Sequence, residues 1–345
     1  MIHDVIKNSI IKGIQYLDLF VKDGPIVCLP SNLFTSQTLE VLRLGGGSIL
    51  ISVPNFVSLP NLRKMELVKV KYHDDESARM LITSCVNLEV LVVELTKPDN
   101  VDILNISSST LRKIFVSYVE VIYHKCVSGY SKKKNILINA PPLQYLSLSD
   151  VSGSVYCSLG NFPSLEEVDI DMNVSLDGRN DYSYRLTSFY QAIKHVKVLT
   201  INEDIFKVPV PEHLFPMFHM LTVLKVTTSC CGWGMLENFL KNSPKLENLI
   251  FTVGSWSFHH HDLRWRNPES VPACLLSSLK SISIFSSTLY KVELAMAKYI
   301  LKNARVLRTM KIKDHHSPGS KKEKKFHNVL LNVRRGSDSC EVSIC

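Results

Sequence analysis

The sequence predicts an α/β solenoid, in which short parallel strands from successive repeats stack side by side into a sheet. One phrase returns twelve times along the 345 residues: an apolar residue, two variable residues, an apolar residue, one variable residue and an apolar residue. The phrases begin at Ile14, Leu39, Leu62, Leu88, Leu111, Leu143, Leu165, Val196, Leu221, Leu246, Leu279 and Leu307. Most intervals between them fall within about the 20–29-residue period of leucine-rich repeats. The fold class predicted is therefore an irregular leucine-rich-repeat solenoid, a horseshoe with parallel strands on its concave face.

Each phrase predicts which side chains point inward. Its last two apolar residues are two positions apart, so they share one side of a strand and the residue between them lies on the other. In Leu42-Arg43-Leu44 the leucines are predicted to point inward and Arg43 outward, and Leu146-Ser147-Leu148 has the same pattern. Stacked copies bury a continuous core that one strand cannot form alone. An ordinary α/β sheet with similar strands is the less favoured alternative, because twelve copies of one template exceed what separate strands need.

Three segments between the phrases have the apolar spacing of helices. The first begins after Asp74 and has acidic residues in its first turn, which favours a helix N-terminus. The second covers about 234–242 and ends before Pro244, since proline cannot continue a helix. The third covers about 291–303 and has a broad apolar stripe.

The composition indicates a protein of a reducing compartment, the cytosol or the nucleus. Hydrophobic residues make up 45% of the chain, but no run approaches the length that a membrane span needs. Residues 1–8 lack the apolar segment of a secretory signal. The nine cysteines are odd in number and have no disulfide-framework spacing. No membrane association is expected.

The positive charge is concentrated near the C-terminus. Residues 291–335 contain 13 Lys and Arg against 3 Asp and Glu, whereas the whole chain has a net charge of +8. Such a segment could attract nucleic acid. It lacks interleaved aromatic residues and a recognition-helix motif, so a solvated loop and helix face is the preferred interpretation.

The chain has no motif that predicts catalysis, a metal site or a cofactor. His259, His260 and His261 precede Asp262, but adjacent side chains diverge and no ligand at metal-binding spacing accompanies them, so a polar loop is predicted. No Ser/His/Asp or Cys/His set can be placed at catalytic geometry. The sequence therefore favours a non-enzymatic protein.

The outward positions of the strands are the candidate binding residues. Asp169 and Asp171 lie on the same side of one strand, where like charges repel. They could bind a basic partner, or pair with Lys or Arg on adjacent strands, and the sequence leaves both open. The candidates for partner binding are Arg43, Glu66, Asp169, Asp171 and Lys225.

Both ends of the chain resemble plant F-box/leucine-rich-repeat proteins that carry a C-terminal FBD domain. The resemblance begins with Ile10-Ile11-Lys12-Gly13-Ile14-Gln15-Tyr16-Leu17-Asp18-Leu19, Leu29-Pro30-Ser31-Asn32-Leu33-Phe34 and Leu39-Glu40-Val41-Leu42-Arg43-Leu44. The FBD-like residues are Trp265, Pro268, Val271-Pro272, Cys274-Leu275, Ser278-Leu279-Lys280, Glu293-Leu294, Tyr299-Ile300-Leu301-Lys302-Asn303-Ala304, Val306-Leu307 and Cys340-Glu341-Val342-Ser343-Ile344. The domains expected are a repeat array over 1–264 and an FBD-like α/β cap over 265–345.

The resemblance implies a function in protein recognition. In that family an F-box binds a Skp-type adaptor, and the repeats offer a protein substrate to a cullin-type (SCF) ubiquitin ligase. This chain starts where the segment after the F-box starts, so the F-box is expected to be absent and a Skp-type adaptor to bind only if an upstream F-box exists. The resemblance thus implies a non-enzymatic scaffold for an unidentified protein target.

Two alternatives remain open. A small-molecule sensor could close over its ligand with the insertions after Ser117 and Met172, the second of which contains Tyr182 and Tyr184. Nucleic-acid association through the basic 291–335 segment is the other, although nucleic acid is not the expected partner.

Overall fold

All twelve phrases form parallel strands. The computed structural model describes residues 2–22, 24–96, 101–119, 134–152, 155–173, 179–202, 205, 210–228, 233–253, 265, 267–286, 291–314 and 321–344. It divides into two compact units, Met1–Leu165 and Glu166–Cys345, which we call the N-terminal unit and the C-terminal unit. Within the described residues no helix is both long enough and apolar enough to cross a membrane.

The N-terminal unit is built mainly from strands. Its helices are α1 (Ile2–Ile11) and α2 (Asp75–Thr83), with a 3-10 helix at Ser31–Thr35. Its strands are β1 (Tyr16–Phe20), β2 (Val27–Cys28), β3 (Val41–Gly45), β4 (Ile49–Ile51), β5 (Lys64–Val68), β6 (Lys71–Tyr72), β7 (Val90–Thr96), β8 (Ile103–Ser107), β9 (Lys113–Val119), β10 (Lys134–Asn139), β11 (Tyr145–Ser152) and β12 (Val155–Leu159). The odd-numbered strands pair in parallel in the order β1-β3-β5-β7-β9-β11.

Inward residues of this sheet form continuous buried rows, as the phrase predicts. Leu42, Met65, Leu91, Ile114 and Leu146 occupy one register row, and each is 0% exposed. On β1 the corresponding Leu17 is half-buried, because within the described residues β1 pairs on one side only, with β3. The first leucines of the phrases, such as Leu39 and Leu62, are buried before their strands.

A polar residue directly before several phrases links one repeat to the previous one. The side chain of Asn61 donates to the carbonyl of Gln37 at 2.6 Å, and that of Asn87 donates to the carbonyl of Pro60 at 2.7 Å. The hydroxyl of Thr38 likewise donates to the carbonyl of Ile14. These bonds satisfy carbonyl oxygens in the turns that would otherwise lack a protein partner.

The segments that connect the main strands of this unit contribute short strands to two small parallel sheets. One has the order β2-β4-β6 and the other β12-β10-β8. Gly46 makes the sharp turn after β3 possible, because its φ is +106° and a Cβ there would lie 2.3 Å from the carbonyl oxygen of Val21. None of the six strands of the small sheets was predicted from the sequence.

The C-terminal unit connects its strands mainly through helices. Its strands are β13 (Glu167–Asn173), β14 (Val198–Ile201), β15 (Val223–Thr228), β16 (Asn248–Val253), β17 (Ser281–Ser286), β18 (Thr309–Asp314) and β19 (Glu341–Ile344), which pair in parallel in this order. Its helices are α3 (Arg179–Ile193), α4 (Trp233–Lys241), α5 (Ala273–Ser277), α6 (Lys291–Asn303) and α7 (Lys321–Leu331), with a 3-10 helix at Glu212–Leu214.

The three predicted helices correspond to α2, α4 and α6. At the start of α2 the carboxylate of Asp74 accepts a hydrogen bond from the backbone N–H of Ser77 at 2.7 Å, which caps the helix. Helix α3 was not predicted, although its buried Leu186, Phe189, Tyr190 and Ile193 have helical spacing. Tyr190 packs edge-on against Phe239 with ring centroids 5.5 Å apart.

The C-terminal residues continue the sheet of their unit. Strands β17 and β18 follow β16, and the last strand, β19, pairs in parallel with β18. Helices α5, α6 and α7 connect these last strands. The elements predicted for the cap are therefore present, while the boundary between 1–264 and 265–345 stays a prediction.

Candidate functional site

The N-terminal outward face consists of the outward side chains of β1, β3, β5, β7, β9 and β11. One register row contains Asp18, Arg43, Glu66, Val92, Phe115 and Ser147. Paired strands lie about 4.8 Å apart, so neighbours in this row can touch. The predicted residues Arg43 and Glu66 are therefore brought together.

Arg43 is the centre of an ion-paired network. Its Nη1 donates to the Asp18 carboxylate at 3.1 Å and to the Tyr16 hydroxyl at 3.2 Å, while its Nε donates to the Glu66 carboxylate at 2.7 Å. The other carboxylate oxygen of Glu66 lies 2.6 Å from Nζ of Lys64. Two cations and two anions are thus balanced within the network.

These contacts shift the pKa values of Arg43 and Glu66. Hydrogen bonds to Tyr16 and Glu66 raise the pKa of the Arg43 guanidinium above its ordinary value. Burial acts to raise the pKa of Glu66, but hydrogen bonds from Lys64 and Arg43 outweigh it and hold that pKa below its usual range. The charges of this part of the face are consequently fixed at neutral pH and paired with one another.

Beside this network the register row continues with the apolar Val92 and the aromatic Phe115. The rings of Phe115 and Tyr145 are in contact, with centroids 5.0 Å apart. Ser147 points to this face, yet it is only 8% exposed. Large neighbours in adjacent positions therefore cover a small outward residue, which the alternation of the phrase does not predict.

The C-terminal outward face consists of the outward side chains of β13 to β18. One register row contains Asp169, Thr200, Lys225, Ile250, Ser283 and Lys311. The following row contains Thr227, Thr252, Phe285 and Lys313, and Asp171 lies two residues after Asp169 on β13. Acidic residues thus lie at one side of this face and basic residues at the other.

A cross-strand ion pair connects the acidic strand β13 with Lys225 on β15. Nζ of Lys225 lies 4.0 Å from the Glu167 carboxylate, the longest of the ion pairs in the described residues. Burial raises the pKa of Asp169, the charges of Asp171 and Glu167 raise it further, and Lys225 opposes them. Of the two possibilities that the sequence left open, pairing across strands is present through Lys225.

The basic side of the face has no such partner. Lys311 and Lys313 are exposed on β18, and neither forms an ion pair with any residue that the structure describes. The same holds for the exposed Lys298, Lys302, Arg305, Arg308, Lys324 and Lys325. These eight described residues of the 291–335 segment therefore present positive charge to solvent.

The sites considered for other chemistry are partly outside the described residues. The histidines at 259–261 and the insertion following Ser117 fall there. Tyr184 lies on α3 and is 71% exposed, whereas the sequence analysis placed it in a covering loop. Among described residues no group of three or more His, Cys, Asp or Glu side chains could hold a metal ion.

Six charged or hydrogen-bonding residues of these two faces were not predicted from the sequence as candidate binding residues. They are Tyr16, Asp18 and Lys64 in the Arg43 network, Glu167 beside Lys225, and Lys311 and Lys313 on β18. Asp18 and Lys311 occupy the same position of their phrases as Arg43 and Lys225, so the repeat itself contained the signal. Tyr16 and Lys64 could not be found in this way, because which rows meet depends on the register between strands.

Comparisons with known proteins match both parts of the chain. A family profile described as "FBD-associated F-box protein At5g56370, LRR repeats" matches residues 2–251, and the profile "FBD" matches residues 267–312. F-box/FBD/LRR-repeat protein At4g26340 of Arabidopsis thaliana is 32% identical over 292 residues, which cover 82% of this chain and 64% of that protein.

Two further Arabidopsis thaliana relatives cover more of the chain. F-box/FBD/LRR-repeat protein At4g00160 is 32% identical over 330 residues, and F-box/FBD/LRR-repeat protein At3g52680 is 30% identical over 330 residues. Each alignment covers 92% of this chain and 68% of the relative. The chain thus spans about two thirds of the length of these curated relatives.

Proposed function

Because the chain belongs to the family of F-box/FBD/LRR-repeat proteins, we propose that it is a non-enzymatic scaffold that binds a protein target through its outward strand residues. The observation that carries the proposal is the arrangement of charged side chains in register rows. Buried rows such as that of Leu42 and Met65 fix the strands, so the outward charges are held at constant spacing. A rigid, pre-ordered surface loses little conformational entropy on binding a partner.

We propose further that the target is delivered to a cullin-type ubiquitin ligase when an F-box accompanies the repeats. The contact with a Skp-type adaptor would then belong to the F-box, and target selection to the repeats. The compartment proposed is the cytosol or the nucleus, in keeping with the free thiols of Cys28, Cys85, Cys274 and Cys340.

The experiment is affinity purification of the tagged chain from plant extract, followed by mass spectrometry. The test variant replaces Arg43, Glu66, Asp169 and Lys225 by Ala, which removes two charges of each sign from the outward faces. The control replaces Lys12, Lys71, Glu269 and Asp338 by Ala, which removes the same charges from exposed positions elsewhere. We expect the test variant to lose partners that the wild type and the control retain. Identical partner sets for all three would overturn the proposal.

The exposed basic residues of the C-terminal unit favour one second candidate, association with nucleic acid. Unpaired Lys and Arg neutralise phosphates and release counterions, so binding should weaken steeply with salt. A filter-binding titration of duplex DNA and single-stranded RNA at increasing salt tests this candidate. The absence of binding near physiological salt would remove it.

A further inference from the structure

The N-terminal outward face contains apolar side chains on three neighbouring strands. Val90 and Val92 lie on β7, Phe115 on β9 and Tyr145 on β11. Val92 and Phe115 are register partners, and the ring of Phe115 contacts that of Tyr145. All four side chains are half-buried, so part of each is accessible to a partner. We call these four residues the apolar patch.

A lysine lies among the residues of the apolar patch. Lys113 is the register partner of Val90 on one side and of Tyr145 on the other, and it precedes Phe115 by two residues on β9. It is exposed and forms no ion pair with any residue that the structure describes. Arg112, the residue before it, is also exposed and without an ion pair among those residues, so the local excess of charge is positive.

The carboxylates on and before the preceding strands have other cationic partners. The ion pairs are Arg43–Glu66 at 2.7 Å, Lys64–Glu66 at 2.6 Å, Arg63–Glu89 at 2.6 Å and Lys69–Glu94 at 3.3 Å. On the other side, the register partners of Lys113 and Phe115 on β11 are the uncharged Tyr145 and Ser147. Among the described outward residues of β5 to β11, Lys113 is therefore the cation that a partner can neutralise.

The spacing of these groups suits an extended polypeptide. Strands β7 and β11 are two steps apart, about 10 Å, which is the length of about three extended residues. Lys113 and Phe115 are two residues apart on one strand, and an extended partner presents side chains on one face at the same interval. A nucleic acid is less suited, because its affinity comes from neutralising several phosphates and the patch offers only Lys113 and Arg112.

We propose that the apolar patch binds an extended segment of the target protein, which presents an acidic side chain to Lys113 and, two residues along, an aromatic or large aliphatic side chain to Phe115. The carboxylate neutralises Lys113 beside apolar side chains, where a charge pair is stronger than in bulk water. The apolar side chain is buried against Val92, Phe115 and Tyr145. The inference rests on the proposed function, since it names the chemistry of the target that the scaffold recognises.

The test measures the binding of short labelled peptides to the full chain by fluorescence anisotropy. The acidic–aromatic peptide has Glu, Phe and Val at alternate positions in a background of Ser and Thr. A control peptide of identical composition places Glu directly beside Phe, so that the two side chains point to opposite faces. Two others replace Glu by Lys or Phe by Ser. We expect the acidic–aromatic peptide to bind about tenfold more tightly than each control, because each control loses either the charge pair or the buried ring.

Substitutions in the protein locate the binding site. Lys113→Glu should reverse the preference, so that the peptide with Lys in place of Glu binds more tightly. Val92→Thr should weaken the binding of both peptides about threefold and leave the preference unchanged, because it removes apolar surface only. The controls Lys71→Glu on β6 and Val86→Thr make the same changes at exposed positions elsewhere and should leave both affinities unchanged. Should Lys113→Glu impair folding by circular dichroism, Lys113→Gln replaces it and should abolish the preference.

Several results would overturn the inference. They are no binding of the acidic–aromatic peptide, equal binding of the two peptides of identical composition, and an unchanged preference in Lys113→Glu. Tighter binding of phenylpropanoate or of a single-stranded oligonucleotide would assign the patch to a small aromatic acid or to nucleic acid instead. A wild-type dimer that Lys113→Glu dissociates in analytical ultracentrifugation would assign it to a second copy of the chain.

The inference and the proposed function can fail separately. A preference for the acidic–aromatic peptide without any partner in the affinity purification would contradict only the proposed function. Partners in the affinity purification without a preference among the peptides would contradict only this inference.

Discussion

The two units have the same inward pattern but connect their strands differently. Each buries rows of Leu, Ile, Val and Met below a parallel sheet. The N-terminal unit connects its main strands mainly through short strands such as β4 and β6, whereas the C-terminal unit connects its strands mainly through helices such as α4 and α6. The phrase therefore determines the strand and its inward side, while the local sequence of each connection determines the rest of the repeat.

The outward faces of the units differ in how their charges are arranged. Arg43 and Lys64 neutralise Asp18 and Glu66 on neighbouring strands. In the C-terminal unit the acids of β13 and the lysines of β18 stay apart. Exposed ion pairs contribute little stability, so their arrangement matters chiefly for what the surface can bind.

The largest effect is expected where the units are alike. Leu146→Ala in the N-terminal unit and Leu224→Ala in the C-terminal unit should each lower the free energy of unfolding by about 2–5 kcal/mol, because both leucines are fully buried. Urea denaturation followed by circular dichroism measures this. The control Ser147→Ala should have little effect, because the hydroxyl has no hydrogen bond to a described residue. Equal stabilities of the three variants would contradict the inward and outward assignment.

A glycine substitution tests the sharp turn after β3 in the N-terminal unit. Gly46→Ala should destabilise the protein by at least about 1–3 kcal/mol, since its φ is +106° and the new Cβ would meet the backbone of Val21. Gly234→Ala in α4 is the matched control, because nothing lies within 4 Å of its Cβ position and alanine favours helices. Thermal unfolding of both variants checks the contrast. A tolerated Gly46→Ala would show that this turn can relax.

Most of what could be predicted from the sequence lies on the inward side. The twelve strands and helices α2, α4 and α6 follow from apolar spacing alone. The short strands β2 and β6 have two residues each, too few for alternation to be recognised. Helix α3 could have been predicted from Leu186, Phe189, Tyr190 and Ile193, but its many polar residues obscured the pattern.

Predicting the outward faces needs more than the phrase. Alternation identified Arg43, Glu66, Asp169, Asp171 and Lys225 as outward residues. It did not predict that Arg43 bonds to Glu66 and Asp18, because that depends on the register between β1, β3 and β5. Whether the five residues bind a partner stays a prediction.

Tyr190 provides a stability test specific to the helical connections of the C-terminal unit. It is 0% exposed among Phe215, Phe218 and Phe239, and its hydroxyl has no hydrogen-bond partner in the part of the chain that the structure describes. Tyr190→Phe should stabilise the protein by about 1 kcal/mol, because an unsatisfied buried hydroxyl is costly. Differential scanning calorimetry should show a higher Tm, while the exposed control Tyr184→Phe should leave the Tm unchanged. A lower Tm for Tyr190→Phe would indicate that the hydroxyl is solvated or bonded.

The smallest effects, and the most direct comparison of the faces, concern pH. The pKa of Glu66 is lowered in the folded protein, so its ionisation stabilises the fold above about pH 4.3, and this contribution is lost as the pH falls through the folded pKa. The pKa of Asp169 is raised, so its ionisation opposes folding at neutral pH, and the opposition disappears as the pH falls below about 3.9.

The two neutral variants should therefore have effects of opposite sign. At pH 7, Glu66→Gln should lower the free energy of unfolding by a few tenths of a kcal/mol, and Asp169→Asn should raise it by a similar amount, since solvent screens both groups. The Asp169 difference should vanish as the pH falls below about 3.9, whereas the Glu66 difference should persist to lower pH and vanish only as the pH falls through the lowered pKa of Glu66. Urea denaturation at pH 7, 5 and 3 measures this. Effects of the same sign at pH 7 would mean that the charge of Asp169 is neutralised locally, as the charge of Glu66 is by Arg43 and Lys64.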